Sequence, residues 1–296
     1  MKTVIVPFVL FGVAMCNGNL PAAALPVTEN LVLWLDASDV DGAGNNPADG
    51  TSIGTAGTPW VNKATGSAVG SAFTATETSG TAPMYLAANA SFNNLPTVYF
   101  DGTSSGLKID HDPLLNATDG LTVFLVGSRV SGTGFLWMQK GSGGGGGAGD
   151  WFLSPHEGLG VAFRYTVYGL DTTPHVFEGA YDPDSGAYGG TLNLLDGSPR
   201  GAELFLTQTY TNPNTGPLYI GRRYNPSGSQ GYVNGDIAEI LVYNTNLSES
   251  EREAVGYYLQ TKYGIPGSYV PEPSMALLLI MAALPLALQR RRLAVR

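Results

Sequence analysis

The sequence predicts an all-β fold, a β-sandwich or jelly roll with one short helix near the end. Three observations carry this expectation. Short apolar runs of strand length alternate with clusters of Gly, Asn, Asp and Pro. Gly supplies 40 of 296 residues while charged residues are only 13 %, which excludes long charged helices as the main architecture. Apolar residues make up 43 %, enough for a large core.

In chain order, the first element is an address. Met1-Lys2-Thr3, an apolar run from Val4 to Met15 and Ala22-Ala23-Ala24 form a secretory signal pattern, with cleavage expected after Ala24. The mature domain is expected over 25–267. Its strands are read at Leu31–Leu35, Thr97–Phe100, Leu121–Val126, Gly160–Tyr165, Thr191–Leu195, Leu218–Arg222 and Ile237–Tyr243, all rich in β-branched and aromatic residues. Asp101-Gly102, Asp119-Gly120, Asp196-Gly197 and Asn234-Gly235 are read as turns. The five glycines from Gly143 to Gly147 lack the strand, helix and Lys-Ser/Thr context of a phosphate loop, and read as a flexible connection.

One helix follows. Ser248 with Glu251 forms a capping box, glutamates favour the positive end of the dipole, and Gly264 with Pro266 stops it. Val255, Tyr258 and Leu259 give it one apolar face, expected to pack at the sandwich edge.

Residues 268–296 form a second address. Pro271-Glu272-Pro273 precedes an apolar run from Met275 to Leu288, expected to be a separate helix, and then Arg290, Arg291 and Arg292. Fourteen helical residues span about 21 Å, short of a hydrocarbon core of about 30 Å. The arginines would stay on the cytoplasmic side, leaving the domain outside. This three-part end resembles the PEP-CTERM sorting signal of Gram-negative bacteria. The resemblance implies an exosortase-type processing enzyme as partner, transient anchoring in the inner membrane, and delivery to the cell surface or extracellular matrix. A plain C-terminal anchor is the other reading.

The domain itself resembles bacterial LamG-like, concanavalin A-like jelly rolls in Leu31–Asp39, Val98–Gly102, Tyr219–Arg222, Gly235–Asn244 and the Leu247–Ile265 helix region. That resemblance implies two antiparallel sheets and frequent carbohydrate or protein binding.

Charge narrows the partners. The net charge is −9, and losing Lys2, Glu272, Arg290, Arg291, Arg292 and Arg296 with the two tags would leave −13, so no nucleic acid is expected. Cys16 is the single cysteine, which excludes an intrachain disulfide. For glycans, the loop aromatics Trp60, Trp151, Tyr181 and Tyr188 are the candidate stacking residues. Asp39, Asp41, Asn45 and Asp49 crowd one Gly-rich stretch and are candidate calcium ligands, Ca2+ being the one cofactor considered.

Catalysis finds less. No Glu-x-Asp-x-Glu array is present, Asp236 and Glu239 lie three apart and so on opposite faces of an ideal strand, and His156 lacks a nucleophile elbow. The expectation is therefore an exported protein that is not an enzyme and binds carbohydrate or another surface component. A structural or adhesive matrix protein without a sugar site, or a polysaccharide hydrolase, are the alternatives.

Overall fold

The computed structural model describes residues 24–65, 73–78, 81–131, 136–141, 150–162, 172–207, 210, 214–225 and 231–270. The signal segment, the glycine run, the Pro271-Glu272-Pro273 tripeptide, the apolar tail and Arg290, Arg291 and Arg292 lie outside these residues. No helix among the described residues is long and apolar enough to cross a membrane.

The strands in order are β1 Leu31–Asp36, β2 Thr76–Glu77, β3 Met84–Asn89, β4 Leu95–Asp101, β5 Leu107–Ile109, β6 Leu121–Ser131, β7 Met138–Lys140, β8 Trp151–Ser154 and β9 Gly158–Val161. There follow β10 His175–Asp182, β11 Gly190–Leu195, β12 Ser198–Pro199, β13 Leu204–Phe205, β14 Leu218–Ile220, β15 Arg222–Arg223, β16 Gly231–Tyr232, β17 Asn234–Tyr243 and the helix α1 Glu249–Tyr263. They form the expected sandwich. The larger sheet runs β12-β11-β10-β6-β17-β4-β3, with β1 added to β17 and β13 to β11; the smaller runs β2-β5-β14-β7-β8-β9.

Burial explains the layers. Alternate residues of β1, β4, β6 and β17, among them Leu33, Leu35, Val98, Phe100, Val123, Leu125, Ile240 and Val242, point between the sheets. There they meet Met138, Trp151, Leu153, Leu218 and Ile220 from the smaller sheet, and Trp137 just before β7. The opposite parity, with Phe124, Val126, Val176, Leu241 and Tyr243, packs under Val255, Leu259 and Tyr263 of α1. The helix that the sequence places at the sandwich edge thus lies on the outer face of the larger sheet. Its reciprocal Ser248–Glu251 cap and left-handed Gly264 stop are as the sequence reads them.

Polar anchors hold α1 in register. Lys262 Nζ lies 3.0 Å from Asp36 Oδ2 and 2.8 Å from Glu239 Oε2, and these carboxylates belong to a directly opposed pair on β1 and β17. Trp34 Nε1 and Tyr263 Oη also donate to Glu239, at 2.7 and 2.9 Å. Nearly three turns nearer the helix start, Arg252 Nε meets Glu178 of β10 at 2.9 Å, and Tyr269 Oη donates to the same carboxylate at 2.7 Å.

One local expectation holds and two change. Asp196-Gly197 is the two-residue turn of a hairpin, both residues at positive φ. Asn234-Gly235, expected as a turn, instead opens β17 at a bulge: a Cβ on Gly235 would stand 2.1 Å from the Ser128 carbonyl oxygen, so glycine is there for close approach to β6. The run Leu218–Arg222 is split at Gly221, whose φ of +73° and contact with the Phe100 ring turn the chain from β14 into β15.

Candidate functional site

Of the four aromatics proposed for glycan contact, three are core residues. Trp60 and Trp151 are fully buried, and Trp151 Nε1 donates to the Leu115 carbonyl at 2.8 Å. Tyr181 is buried beneath Gly189 and packs against Tyr210, ring centroids 6.2 Å apart. These rings have no face left for a ligand, because the two sheets close over residues that the sequence reads as loop positions. Tyr188 is different, with 45 % of its surface exposed.

Tyr188 sits in the hairpin between β10 and β11, and β13 folds back beside it. Phe205 of β13 pairs with Gly190 and is 51 % exposed. Its ring lies on the Gly186 backbone, where a Cβ would be 2.8 Å away, and Leu206 N donates to the Gly189 carbonyl at 2.8 Å. Polar groups surround this aromatic surface. Asp182 Oδ1 accepts from the Asp184 amide at 2.9 Å, and Ser185 Oγ donates to Glu203 Oε1 at 2.6 Å. The loop thus combines two exposed rings with Asp182, Asp184, Ser185 and Glu203. Aromatic faces stack on the C–H faces of sugar rings, and carboxylates accept from their hydroxyls. Sequence reasoning missed Phe205; the available signal was the triplet Leu204-Phe205-Leu206, whose middle residue alternates outward.

The proposed calcium ligands are otherwise engaged. Asp41 Oδ1 accepts from the Ala43 and Asn45 amides at 2.8 and 3.0 Å, and the Ala43 contact leads in holding this carboxyl below its ordinary range. Asn45 Nδ2 donates to Asp41 Oδ2 at 3.1 Å. Asp39 accepts from the Gly44 amide and faces Lys63 Nζ at 3.1 Å, while Asp49 is drawn away to the Ala87 amide of β3. In this structure these oxygens cap backbone N–H groups and pair with a lysine. Among the described residues no group of three or more His, Cys, Asp and Glu is arranged to hold a metal ion.

Asp236 and Glu239 also depart from the opposite faces expected of them. A register shift between Ile237 and Glu239 changes the phase of β17. Asp236 meets Thr97 Oγ1 at 2.9 Å and Glu239 meets Lys262, so both carboxylates lie on the outer face of the larger sheet, and both are buried. Burial pushes each carboxyl above its ordinary range, against the hydrogen bond from Thr97 in one case and the Lys262 charge in the other.

No known family and no curated protein matches the sequence. Solved structures match the fold. A Trypanosoma rangeli sialidase in complex with sialic acid is 17 % identical over 84 % of this chain and 36 % of its own, with a TM-score of 0.51. The same organism's sialidase with 2,3-difluorosialic acid gives 15 %, 81 %, 34 % and 0.52. The fourth domain of an extracellular arabinanase from Geobacillus stearothermophilus, solved with arabinotriose, gives 11 %, 78 %, 98 % and 0.49. This chain spans about a third of the length of the sialidases.

The sialidases overturn the expectation that the chain is not an enzyme. Its sandwich occurs within proteins that carry catalysis, so a missing carboxylate array on one strand does not separate this fold from enzymes.

Proposed function

We propose that this chain is an exported surface or matrix protein that binds carbohydrate through the β10–β11 hairpin and β13. The exposed Tyr188 and Phe205 beside Asp182, Asp184, Ser185 and Glu203 carry the reading. The sandwich it shares with a sialidase solved with sialic acid supports it. The LamG-like strand motifs support the same class of domain. Export, exosortase processing, transient inner-membrane anchoring and a Gram-negative-type surface rest on the two terminal address segments.

A glycan array on the protein from its native host tests the binding. Saturable binding to a defined saccharide is expected, weakened about tenfold by Tyr188→Ala and by Phe205→Ala, each the loss of roughly 1.4 kcal/mol of stacking and burial. Both rings are exposed, so melting should move little. Binding that survives both substitutions removes this site from the reading. Release of new reducing ends from the bound polysaccharide would establish hydrolysis. Intact mass of the native product tests sorting: a C-terminus still ending in Arg296 argues against processing.

A further inference from the structure

The last residue of β7 is Lys140, which shares the inward parity of Met138 and is fully buried. Its Nζ hydrogen-bonds to neutral groups: the Asn214 carbonyl at 2.8 Å, the Gly216 carbonyl at 2.7 Å and His111 Nδ1 at 3.1 Å. Lys63, Lys108 and Lys262 are instead paired with carboxylates. Burial pushes the Lys140 amine down to about 8, against the attraction of Asp150 and Asp112. Roughly a tenth of it is therefore neutral at pH 7, and a neutral, desolvated amine is a nucleophile.

An electrophile stands beside it, on the residue whose carbonyl the amine touches. Asn214 Nδ2 donates to Asp150 Oδ1 at 2.6 Å, and Asn214 Oδ1 accepts from the Gly216 amide at 2.5 Å. Asp150 is itself buried, immediately before β8. Two glycines permit the close approach. A Cβ on Gly141 would stand 2.0 Å from Asp150 Oδ1 and 2.9 Å from Asn214 Nδ2, and one on Gly216 would stand 2.8 Å from Asn214 Oδ1 and 3.1 Å from the Gly141 backbone. Amine, amide and carboxylate thus share one small space. The Gly216 N–H meets the oxygen on which charge would build if the Asn214 amide carbon were attacked, and the Asp150 carboxylate touches the nitrogen that would leave.

We infer that Lys140 and Asn214 join in an intramolecular isopeptide bond, with Asp150 as the catalytic proton carrier. The neutral Lys140 Nζ adds to Asn214 Cγ, and the Gly216 amide stabilises the resulting oxyanion. Asp150 takes a proton from Nζ and returns it to Nδ2, the Cγ–Nδ2 bond breaks, and ammonia leaves. One amide replaces another, so the step needs no oxidant. The bond staples the end of β7 to the segment before β14, whose Leu218 already pairs with Lys140. It supplies a covalent closure in a chain whose single cysteine, Cys16, excludes an intrachain disulfide. The inference is independent of the carbohydrate reading and uses none of the hairpin aromatics.

The test is mass spectrometry of the full chain, intact and after trypsin, following prolonged incubation at mildly alkaline pH. The linked protein should be lighter than the unlinked chain by one ammonia, resist trypsin after Lys140, and yield one branched peptide that holds both Lys140 and Asn214. Asn214→Ala, at a half-buried position, should abolish the branched peptide and restore cleavage after Lys140. Asp150→Ala retains both reactants and should lower the yield at least tenfold, as expected for loss of a positioned proton carrier. Asn214→Ala serves where Asp150→Ala lowers the melting temperature. An intact mass equal to that of the unlinked chain overturns the inference. So does ammonia loss with ordinary cleavage after Lys140, which marks a succinimide on one asparagine, and so does a branch at Asp150 formed with loss of water. Wild-type yield in folded Asp150→Ala overturns the assigned mechanism.

Discussion

Replacing Lys262 by Met keeps most of the apolar stem and removes the ammonium that links α1 to the larger sheet. The side chains of Glu239 and Asp36 are 0 % and 5 % exposed, and that of Lys262 is 14 % exposed. In the variant, two opposed buried carboxylates would retain Lys63 at 3.0 Å and the Ser38 amide at 2.8 Å on Asp36, and the donors Trp34, Tyr258 and Tyr263 on Glu239. Removing one partner of a buried ion pair costs about 3–5 kcal/mol, because the remaining charge stays desolvated. Lys63 partly compensates, so the loss should lie near the lower figure, about 3 kcal/mol. At about 2–4 °C per kcal/mol for a domain of this size, that is a fall of roughly 6–12 °C in Tm. Urea unfolding followed by tryptophan fluorescence measures it directly. Adding Glu239→Gln to Lys262→Met should cost less than the same change in the wild type, with a coupling of at least about 0.5 kcal/mol. A loss below about 1 kcal/mol for Lys262→Met, the worth of an exposed pair, would refute the reasoning. Strict additivity in the double variant would refute it equally.

Two further outcomes follow from burial. Trp151→Ala should destabilise the fold by about 3–5 kcal/mol, seen as a lower urea midpoint; loss of glycan affinity in a variant of unchanged stability would contradict its place in the core. Alkaline pH should unfold the protein cooperatively. Burial pushes the Tyr210 phenol up to about 12 and raises Tyr243, Tyr258, Tyr263 and Tyr269 well above the ordinary phenol range, while Glu239, Tyr263 and Asp36 hold Lys262 well above its ordinary value in spite of burial. Each group binds its proton more tightly folded than unfolded, so its stabilisation is complete below about pH 10 and is lost as pH rises through the folded values. Tyrosinate absorbance at these five residues should therefore appear together with loss of near-ultraviolet circular dichroism. Their gradual titration in a folded protein near pH 10 would count against it.

What could be read from the sequence was set by neighbours in the chain. The capping box of Ser248 and Glu251, the Asp196-Gly197 turn and the strands of β1, β6 and β17 depend on backbone preferences and short-range alternation, which three to ten residues determine. β10 escaped because Glu178 and Gly179 interrupt its apolar run. The reasons lie far away in sequence: Arg252 and Tyr269 pair with Glu178, and the Leu159 side chain leaves no room for a Cβ at Gly179.

The candidate sites were the least legible part for the same reason. Trp60, Trp151, Tyr181 and Tyr188 are all aromatic residues between turn signals, and only the packing of two sheets decides that three are buried and one faces water. A single bulge in β17 moved Glu239 onto the face of Asp236 and under Lys262, since one inserted residue reverses the alternation of a strand. The amino-acid sequence by itself determined an all-β sandwich closed by a capped helix, together with the strongly acidic balance of its chain. The tertiary structure alone decided which rings reach solvent and that Arg129 and Arg200 reach one turn from distant parts of the chain. Both depend on contacts between distant segments, and local composition carries no record of them.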